Sequence, residues 1–320
     1  DRIIAAFESR RDDIAQAITS DIGVPSWLAK GYQTDMAAAH FVEARRLLED
    51  YPFEYQMGDS VIRREAFGVA GLITAWNWPA QIIAIKVAPA LAAGCTVVWK
   101  PSEFASSASA IIAEIMDAAA VPPGVFNLVL GDGPGVGEAI SSSPGIDLIS
   151  FTGSTRAGAA ISKAAADTVK SVHLELGGKS ANIILPDADL TTAVPDGVRR
   201  AYFNSGQSCI APTRMLVHRD QLAEAVAIAC ETARAMKVGD PQDSATILGP
   251  LANSAQFGRV QEYIQVGIDE GATLACGGLG RPDGLGRGYY IKPTIFSDVS
   301  PEMRIAQEEI FGPVLCILSY

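Results

Sequence analysis

Between Gly68 and Gly178 the sequence repeats one pattern, a short apolar run followed by an amphipathic stretch with helical spacing, and this alternation restricts the fold more than any other feature. The apolar runs predict strands at Val69–Thr74, Thr96–Lys100, Val125–Leu130, Asp147–Phe151 and Val172–Leu176. Helices are predicted between them at Pro79–Ala93, Ala105–Ala119, Gly135–Ser141 and Thr155–Asp167. Strands joined by helical crossovers pair in parallel, and a parallel sheet is covered by helices on both faces. Ligands in such α/β sheets gather at the carboxyl ends of the strands. Those strand tips are therefore where chemistry is to be sought.

A second α/β unit is predicted after Ser180, with strands at Ala181–Leu185, Met215–His218 and near Thr273 and Ile291, and helices at Gln221–Met236 and Ser254–Glu270. The run Val314–Tyr320 reads as a further strand, expected at an unpaired sheet edge. Tyr51–Phe67 differs from its surroundings: polar and aromatic residues alternate around a Met57-Gly58-Asp59 turn, which predicts an interface hairpin. The pattern predicts an α/β class with two lobes, 1–50 with 67–176 and 177–320, and a hairpin at 51–66. Gly177-Gly178 is the expected hinge, and a crevice there would suit a ligand.

A formal net charge of −11 over 320 residues argues against nucleic acid and anionic membrane surfaces, which an acidic body repels. The longest apolar stretch, Ile82–Ala93, is interrupted by Lys86 and Pro89, so no membrane span is expected. Five cysteines at wide, irregular spacings suit neither a disulfide framework nor a zinc site, which points to a reducing, cytoplasmic setting and no metal. The chain opens at Asp1 in helical text and closes on an apolar run, so both ends are expected to be cut.

Each strand tip has a structural explanation beside a functional one. Asn77, after the first strand, would present an amide at the crevice or cap the helix starting at Pro79. Glu103, after the second, stands where dinucleotide folds keep a carboxylate for ribose hydroxyls, and equally where an acidic residue favours a helix N-terminus. No GxGxxG follows the first strand. The fourth strand instead enters Phe151-Thr152-Gly153-Ser154, whose N–H groups would suit a pyrophosphate, or in which Gly153 makes a turn and Ser154 a cap. The fifth strand alternates so that Glu175 reaches the lobe boundary, either as a base in an apolar setting or as half of an ion pair. Cys209 lies in Asn204-Ser205-Gly206-Gln207-Ser208-Cys209, a stretch that reads as too polar and Gly-broken for core, and it alone among the cysteines has the setting of a reactive thiol. A cysteine hydrolase would need a His partner, and His173, two residues from Glu175, leaves that reading open. It does not explain the nucleotide-type fold ahead of the thiol.

Taken together, Ala75-Trp76-Asn77-Trp78-Pro79, Lys100-Pro101-Ser102-Glu103, Phe151-Thr152-Gly153-Ser154, Leu174-Glu175-Leu176-Gly177-Gly178-Lys179, Gly206-Gln207-Ser208-Cys209 and Glu308-Glu309-Ile310-Phe311-Gly312-Pro313 resemble the aldehyde dehydrogenase superfamily in order and spacing. The resemblance spans the whole chain and implies a role for each position. Cys209 matches the nucleophile, Asn77 an oxyanion-hole donor, Glu175 the base that activates water, and Lys86 a residue that relays protons from that base. Thr74, Trp76, Lys100, Ser102, Glu103, Gly133, Gly137, Phe151, Gly153, Ser154, Leu176, Gly177, Glu309 and Phe311 match cofactor-binding positions. Trp78, Ile82, Ile85, Ser208 and Ile210 match positions lining the substrate tunnel; four are apolar or aromatic, which implies a hydrophobic aliphatic or aromatic aldehyde. The carboxylate at Glu103 favours NAD over NADP. The resemblance also implies two doubly wound, Rossmann-type α/β lobes, 1–50 with 67–176 binding the dinucleotide and 177–320 bearing the catalytic thiol, and a bridging hairpin at 51–66 that implies a homodimer or homotetramer. Two alternatives within this fold are a CoA-acylating enzyme, disfavoured by a base at Glu175, and a non-catalytic protein, disfavoured by the joint presence of Cys209, Asn77 and Glu175.

Overall fold

The computed structural model describes residues 1–320. The chain forms two compact units, Asp1–Asp21 with Ala29–Leu176, and Ile22–Leu28 with Gly177–Tyr320. The short segment Ile22–Leu28 thus belongs with the second unit, whereas the sequence pattern assigns 1–50 undivided to the first. Helices α1 (Arg2–Ser9) and α2 (Arg11–Ile22) lead into α3 (Ser26–Leu28), a π-helical turn at Ala29–Thr34, and α4 (Asp35–Asp50).

The hairpin follows, with β1 (Glu54–Met57) antiparallel to β2 (Ser60–Arg63) and Met57 opposite Ser60. It forms a two-stranded sheet of its own, with most of its residues exposed. Beyond it run β3 (Val69–Ile73), α5 (Pro79–Ala92), β4 (Thr96–Lys100), α6 (Ser106–Ala118), β5 (Phe126–Leu128), α7 (Glu138–Ser142), β6 (Leu148–Gly153), α8 (Thr155–Ala166) and β7 (Ser171–Leu176). The five strands β3 to β7 are all parallel, in the order β5-β4-β3-β6-β7. Chain order reverses between β3 and β6, so Thr74 and Gly153 flank the switch point where this fold class binds ligands. Ile73, Ile149 and Phe151 pack with Ile140 and Ile161 in one buried cluster. The buried Trp99 donates its ring N–H to the Thr74 hydroxyl at 2.9 Å, which fixes the tips of two strands to each other. The helix predicted from Gly135 starts as a π-helical turn at Gly133–Gly137, where the side chain of Asp132 accepts from the Gly135 amide at 2.7 Å.

The second unit contains β8 (Ala181–Ile184), α9 (Leu190–Ala201), β9 (Arg214–Val217), α10 (Leu222–Ala235), α11 (Ser254–Asp269), β10 (Thr273–Cys276), β11 (Thr294–Ser297), α12 (Arg304–Gln307) and β12 (Val314–Ser319). Their order is β10-β11-β12-β9-β8, parallel except for β10. The expectation that Val314–Tyr320 leaves an unpaired edge is corrected: β12 is the central strand, bonded to both β11 and β9. Its residues alternate between two cores, Leu315 and Ile317 with α9 and α10 on one face, and Val314, Cys316 and Leu318 with α11 on the other. The strand expected near Ile291 begins only at Thr294, directly after Pro293, whose nitrogen cannot join a ladder.

Candidate active site

The first unit supplies an amide, an amine, a hydroxyl and a carboxylate. Asn77 is buried and its backbone carbonyl accepts from Gln33 Nε2 at 3.2 Å. The cap position of α5 is held by Trp78, one residue on, which makes no side-chain cap bond. Two turns into the same helix, Lys86 is buried with its Nζ 2.8 Å from Ser150 Oγ on β6. Desolvation pushes its pKa from 10.5 down to about 8, with Glu175 pulling the other way.

Glu175 sits on the edge strand β7, opposite Thr152 in register, and His173 lies opposite Ser150. Because side chains alternate along a strand, Ser150, Thr152, His173 and Glu175 share one face. The Glu175 side chain is 61% exposed, with His173 Nε2 3.6 Å from its Oε1, so the apolar setting expected around it is absent. No lysine or arginine pairs with it directly; the ring of His173 is its near neighbour.

At the tip of β4 the buried Lys100 donates to the Pro101 carbonyl at 2.7 Å and lies 3.8 Å from the exposed carboxylate of Glu103. Burial lowers the Lys100 pKa, while Glu103 and Asp132 raise it. Ser102 accepts from the Phe104 amide at 3.3 Å, and Ser154 caps α8 by accepting from the Ala157 amide at 3.3 Å. Trp76 is half-buried, Phe151 buried and Gly133 exposed, whereas Gly137 is buried in its turn. Leu176 ends β7 against α8, close to Gly158. On α5, Trp78 and Ile82 are buried while Ile85 is 49% exposed.

The second unit supplies the thiol and its mount. After Phe203 the chain enters the left-handed region three times in succession, at Asn204 (φ 56°), Ser205 (φ 55°) and Gly206 (φ 72°). Non-glycine residues in that region each cost on the order of 1–2 kcal/mol, so the surroundings must hold them. They do so through a buried polar network. Ser205 Oγ donates to the Gly249 carbonyl at 3.0 Å, Asn204 Nδ2 to the Gln207 carbonyl at 3.2 Å, and the Ala252 amide to Gln207 Oε1 at 3.1 Å. Asn204 to Ser208 are all buried, which corrects the expectation that this stretch is too polar for core. Cys209 leaves this rigid turn half-buried, and Ile210 beyond it is 79% exposed.

Two distant motifs meet at this mount. A Cβ on Gly206 would lie 2.1 Å from the Gly312 carbonyl oxygen, so the thiol loop rests directly on the Phe311-Gly312-Pro313 backbone. A Cβ on Gly177 would lie 2.0 Å from a carboxylate oxygen of Glu309, and Glu309 Oε1 accepts from the Gly178 amide at 3.3 Å. Burial raises the Glu309 pKa, opposed by that amide and by the charges of Arg259 and Lys179. Phe311 itself has φ 65° and is half-buried.

The family model described as the aldehyde dehydrogenase family matches residues 1–320. The chain belongs to the aldehyde dehydrogenase family. A 3-succinoylsemialdehyde-pyridine dehydrogenase of a Pseudomonas species is 56% identical to it, covering 100% of this chain and 67% of that protein. Among solved structures, aldehyde dehydrogenase C of Pseudomonas syringae, a cysteine-to-alanine mutant in complex with NAD+ and octanal, superimposes with a TM-score of 0.99 at 54% identity, covering 100% of this chain and 66% of that one. Betaine aldehyde dehydrogenase of Staphylococcus aureus in complex with NAD+ gives a TM-score of 0.95 at 34% identity, with 100% and 64% covered. The chain thus spans about two thirds of the length of the relatives it matches.

In this family member, sequence reasoning missed the residues that hold the last motif in place. Gln256 Nε2 donates to the carbonyls of Ile310 (3.2 Å) and Phe311 (2.7 Å), and Arg259 donates to the Glu309 carbonyl at 2.6 Å. Both lie on α11, one turn apart, where Asn253 caps the helix by accepting from the Gln256 amide at 2.9 Å. Their only sequence signal is ordinary helix polarity. Glu308, adjacent to Glu309, points to other partners: it pairs with Arg304 at 3.1 Å and accepts a short hydrogen bond from the Tyr263 hydroxyl.

Proposed function

We propose that the protein oxidises an aldehyde to a carboxylic acid with NAD, through a thioester on Cys209 that is hydrolysed by water activated by Glu175. The observation that carries this reading is the thiol mount: three successive left-handed residues, held by a buried network and seated on Gly312, end three residues ahead of the half-buried Cys209. Such strain is typical of positions where a reacting group must be aimed.

Each residue then has one task. The Cys209 thiolate attacks the aldehyde carbon, and the Asn77 amide donates to the oxygen that becomes negative; one such donor is worth about 3 kcal/mol of barrier. NAD, when bound, accepts the hydride. Glu175 takes a proton from the water that attacks the thioester, and the acid leaves as the thiol is restored. Lys86, hydrogen-bonded to Ser150 on the sheet face that carries Glu175, passes that proton on.

The residues fit the dinucleotide. Lys100 and the exposed Glu103 carboxylate offer a donor and an acceptor for ribose hydroxyls, and a 2′-phosphate would be repelled by the latter, which favours NAD over NADP. The absence of a Cβ at Gly177 keeps the Glu309 carboxylate against the backbone, as a site for a second ribose requires. The NAD+ complexes of the two related dehydrogenases support the same choice.

A hydrophobic aliphatic or aromatic aldehyde is the proposed substrate. It is supported by Trp78, Ile82, Ile85 and Ile210, by the octanal in the Pseudomonas syringae structure and by the pyridine in the other relative's name. A homodimer or homotetramer is proposed through the exposed hairpin, where Met57 and Val61 stand out from both strands. Mixing with NAD and aldehyde is expected to give stoichiometric NADH in a burst followed by turnover. Glu175→Gln should burst once and stall, and Cys209→Ala should give no burst. Steady turnover by Glu175→Gln would remove water activation from Glu175, and a burst from Cys209→Ala would remove the thioester.

A further inference from the structure

We infer that Ser150 is a positioning residue for deacylation, its hydroxyl holding the Lys86 side chain on the sheet face that carries Glu175. This rests on the reading of Glu175 as base and Lys86 as its proton acceptor. Lys86 comes from α5 and Ser150 from β6, while Glu175 comes from β7, so three elements must agree for the alignment to exist.

The Lys86 amine is buried, and its hydrogen bond runs 2.8 Å to the Ser150 hydroxyl, itself buried. A hydroxyl both donates and accepts. It can therefore accept from the ammonium and donate to the neutral amine, keeping Lys86 in place through both halves of a proton transfer. A carboxylate in that position would fix the ammonium and stop the transfer, and an apolar side chain would release it. Register adds the second link: Ser150 lies opposite His173, and Thr152 opposite Glu175, in the β6–β7 ladder. The hydroxyl and the carboxylate therefore stand one step apart on one face.

Burial brings Lys86 to about 8, so that near neutral pH the amine changes charge at small cost. Glu175 on β7 is the charge that opposes that shift; the elements packed against α5 carry Lys30 and Tyr32 in the Ala29–Thr34 turn, Asp35, His40, Glu43, Arg45, Arg46, Glu49 and Asp50 on α4, Glu114 and Asp117 on α6, and Lys100 on β4, and β3 carries none. His173, 3.6 Å from Glu175, is the remaining titratable group on this face. With Lys86 accepting the proton as a neutral amine, steady-state kcat should rise with pH towards 8 and beyond.

The test is a series at Ser150 in the full-length protein, with Ala, Val and Thr, reading the NADH burst, kcat, KM, the pH profile and the thermal midpoint. Ser150→Ala is expected to keep the burst while kcat falls about tenfold, the worth of a hydrogen bond to a charged group, and both KM values fall with it so that kcat/KM is unchanged. Its rise in kcat should move to lower pH, since the ammonium has lost its acceptor. Ser150→Thr should restore rate and profile, and Ser150→Val, of similar size without a hydroxyl, should not. Titration of the Lys86 amine by NMR in labelled protein without NAD should show the same downward move in Ser150→Ala. Wild-type kcat and pH profile in Ser150→Ala, or equal behaviour of Thr and Val, would overturn the assignment while leaving the thioester reading intact. A wild-type protein that turns over aldehyde with no acyl group found on Cys209 after rapid acid quench would sink the thioester reading and this assignment with it.

Discussion

Replacing Lys86 by Met should stabilise the protein at neutral pH and lose that advantage in alkali. The drop in the Lys86 pKa from 10.5 to about 8, at ~1.4 kcal/mol per tenfold change in proton affinity, means that the folded state carries a penalty of about 3 kcal/mol for its buried ammonium. The sign follows from proton counting. Between 8 and 10.5 the unfolded chain holds the proton and the folded one does not, so wild-type stability rises with pH through that window. Below 8 both states are protonated and the penalty is complete; above 10.5 neither is, and it vanishes. Methionine keeps most of the length and none of the charge. It also leaves the Ser150 hydroxyl without its partner, which costs about 1 kcal/mol at every pH. The net gain near pH 6.5 is therefore about 2 kcal/mol, turning into a loss of about 1 kcal/mol near pH 11. Urea unfolding of both proteins at the two pH values measures the difference, and packing changes cancel because they do not depend on pH. A stability difference that stays constant across the window would refute the claim that the buried ammonium is what costs stability.

Other perturbations probe the second unit. Gly206→Ala places a methyl 2.1 Å from the Gly312 carbonyl oxygen at a left-handed φ, so one backbone or the other must move; it should lower stability by at least about 2 kcal/mol and abolish the NADH burst, as followed by urea midpoint and stopped-flow absorbance. Gln256→Ala removes two bonds to the Ile310 and Phe311 carbonyls and should raise KM for NAD several-fold with little change in the aldehyde KM, measured by steady-state kinetics. Tyr263→Phe deletes the hydroxyl that donates to Glu308, and loss of this charged-group bond should cost about 1.5–3 kcal/mol in unfolding experiments. The same change should raise the Glu308 pKa, which Arg304 and Tyr263 together hold low.

The first sheet was legible in the sequence because its elements are defined by local pattern. The β4 run Thr-Val-Val-Trp-Lys, for example, has no competing helical period, and its prediction agrees with the structure to the residue. The second unit was less legible. Helix α9 went unseen because Pro195 and Gly197 lie inside it, although Asp189 caps it through the Thr191 amide at 3.0 Å and Val194 and Val198 face the core. Position within a sheet is a non-local property, and the central place of β12 shows the consequence. An apolar run near the end of a chain looks like an edge, yet Val314 to Leu318 are buried on both faces because α9 and α10 on one side and α11 on the other depend on them.

The site divides along the same line. Residue types at strand tips were readable one by one, but what each does depends on partners that no spacing reveals. Ser154 and Ser102 act as caps, whereas Asn77 lies one residue ahead of the cap position of α5 and Glu103 one residue inside its turn, and residue type alone does not tell these places apart. The Cys209 loop shows the deeper reason. Asn, Ser, Gly, Gln and Ser in succession read as solvated because their polarity is visible, whereas two partners that satisfy them, the Gly249 carbonyl that accepts from Ser205 and the Ala252 amide that donates to Gln207, lie more than forty residues away. Burying such a stretch is affordable only when every donor is met, and an unmet one costs about 1–3 kcal/mol. Polarity in a sequence therefore measures demand for partners and not exposure, and a buried polar turn beside a cysteine is what a chain must build to aim a thiol without letting it move.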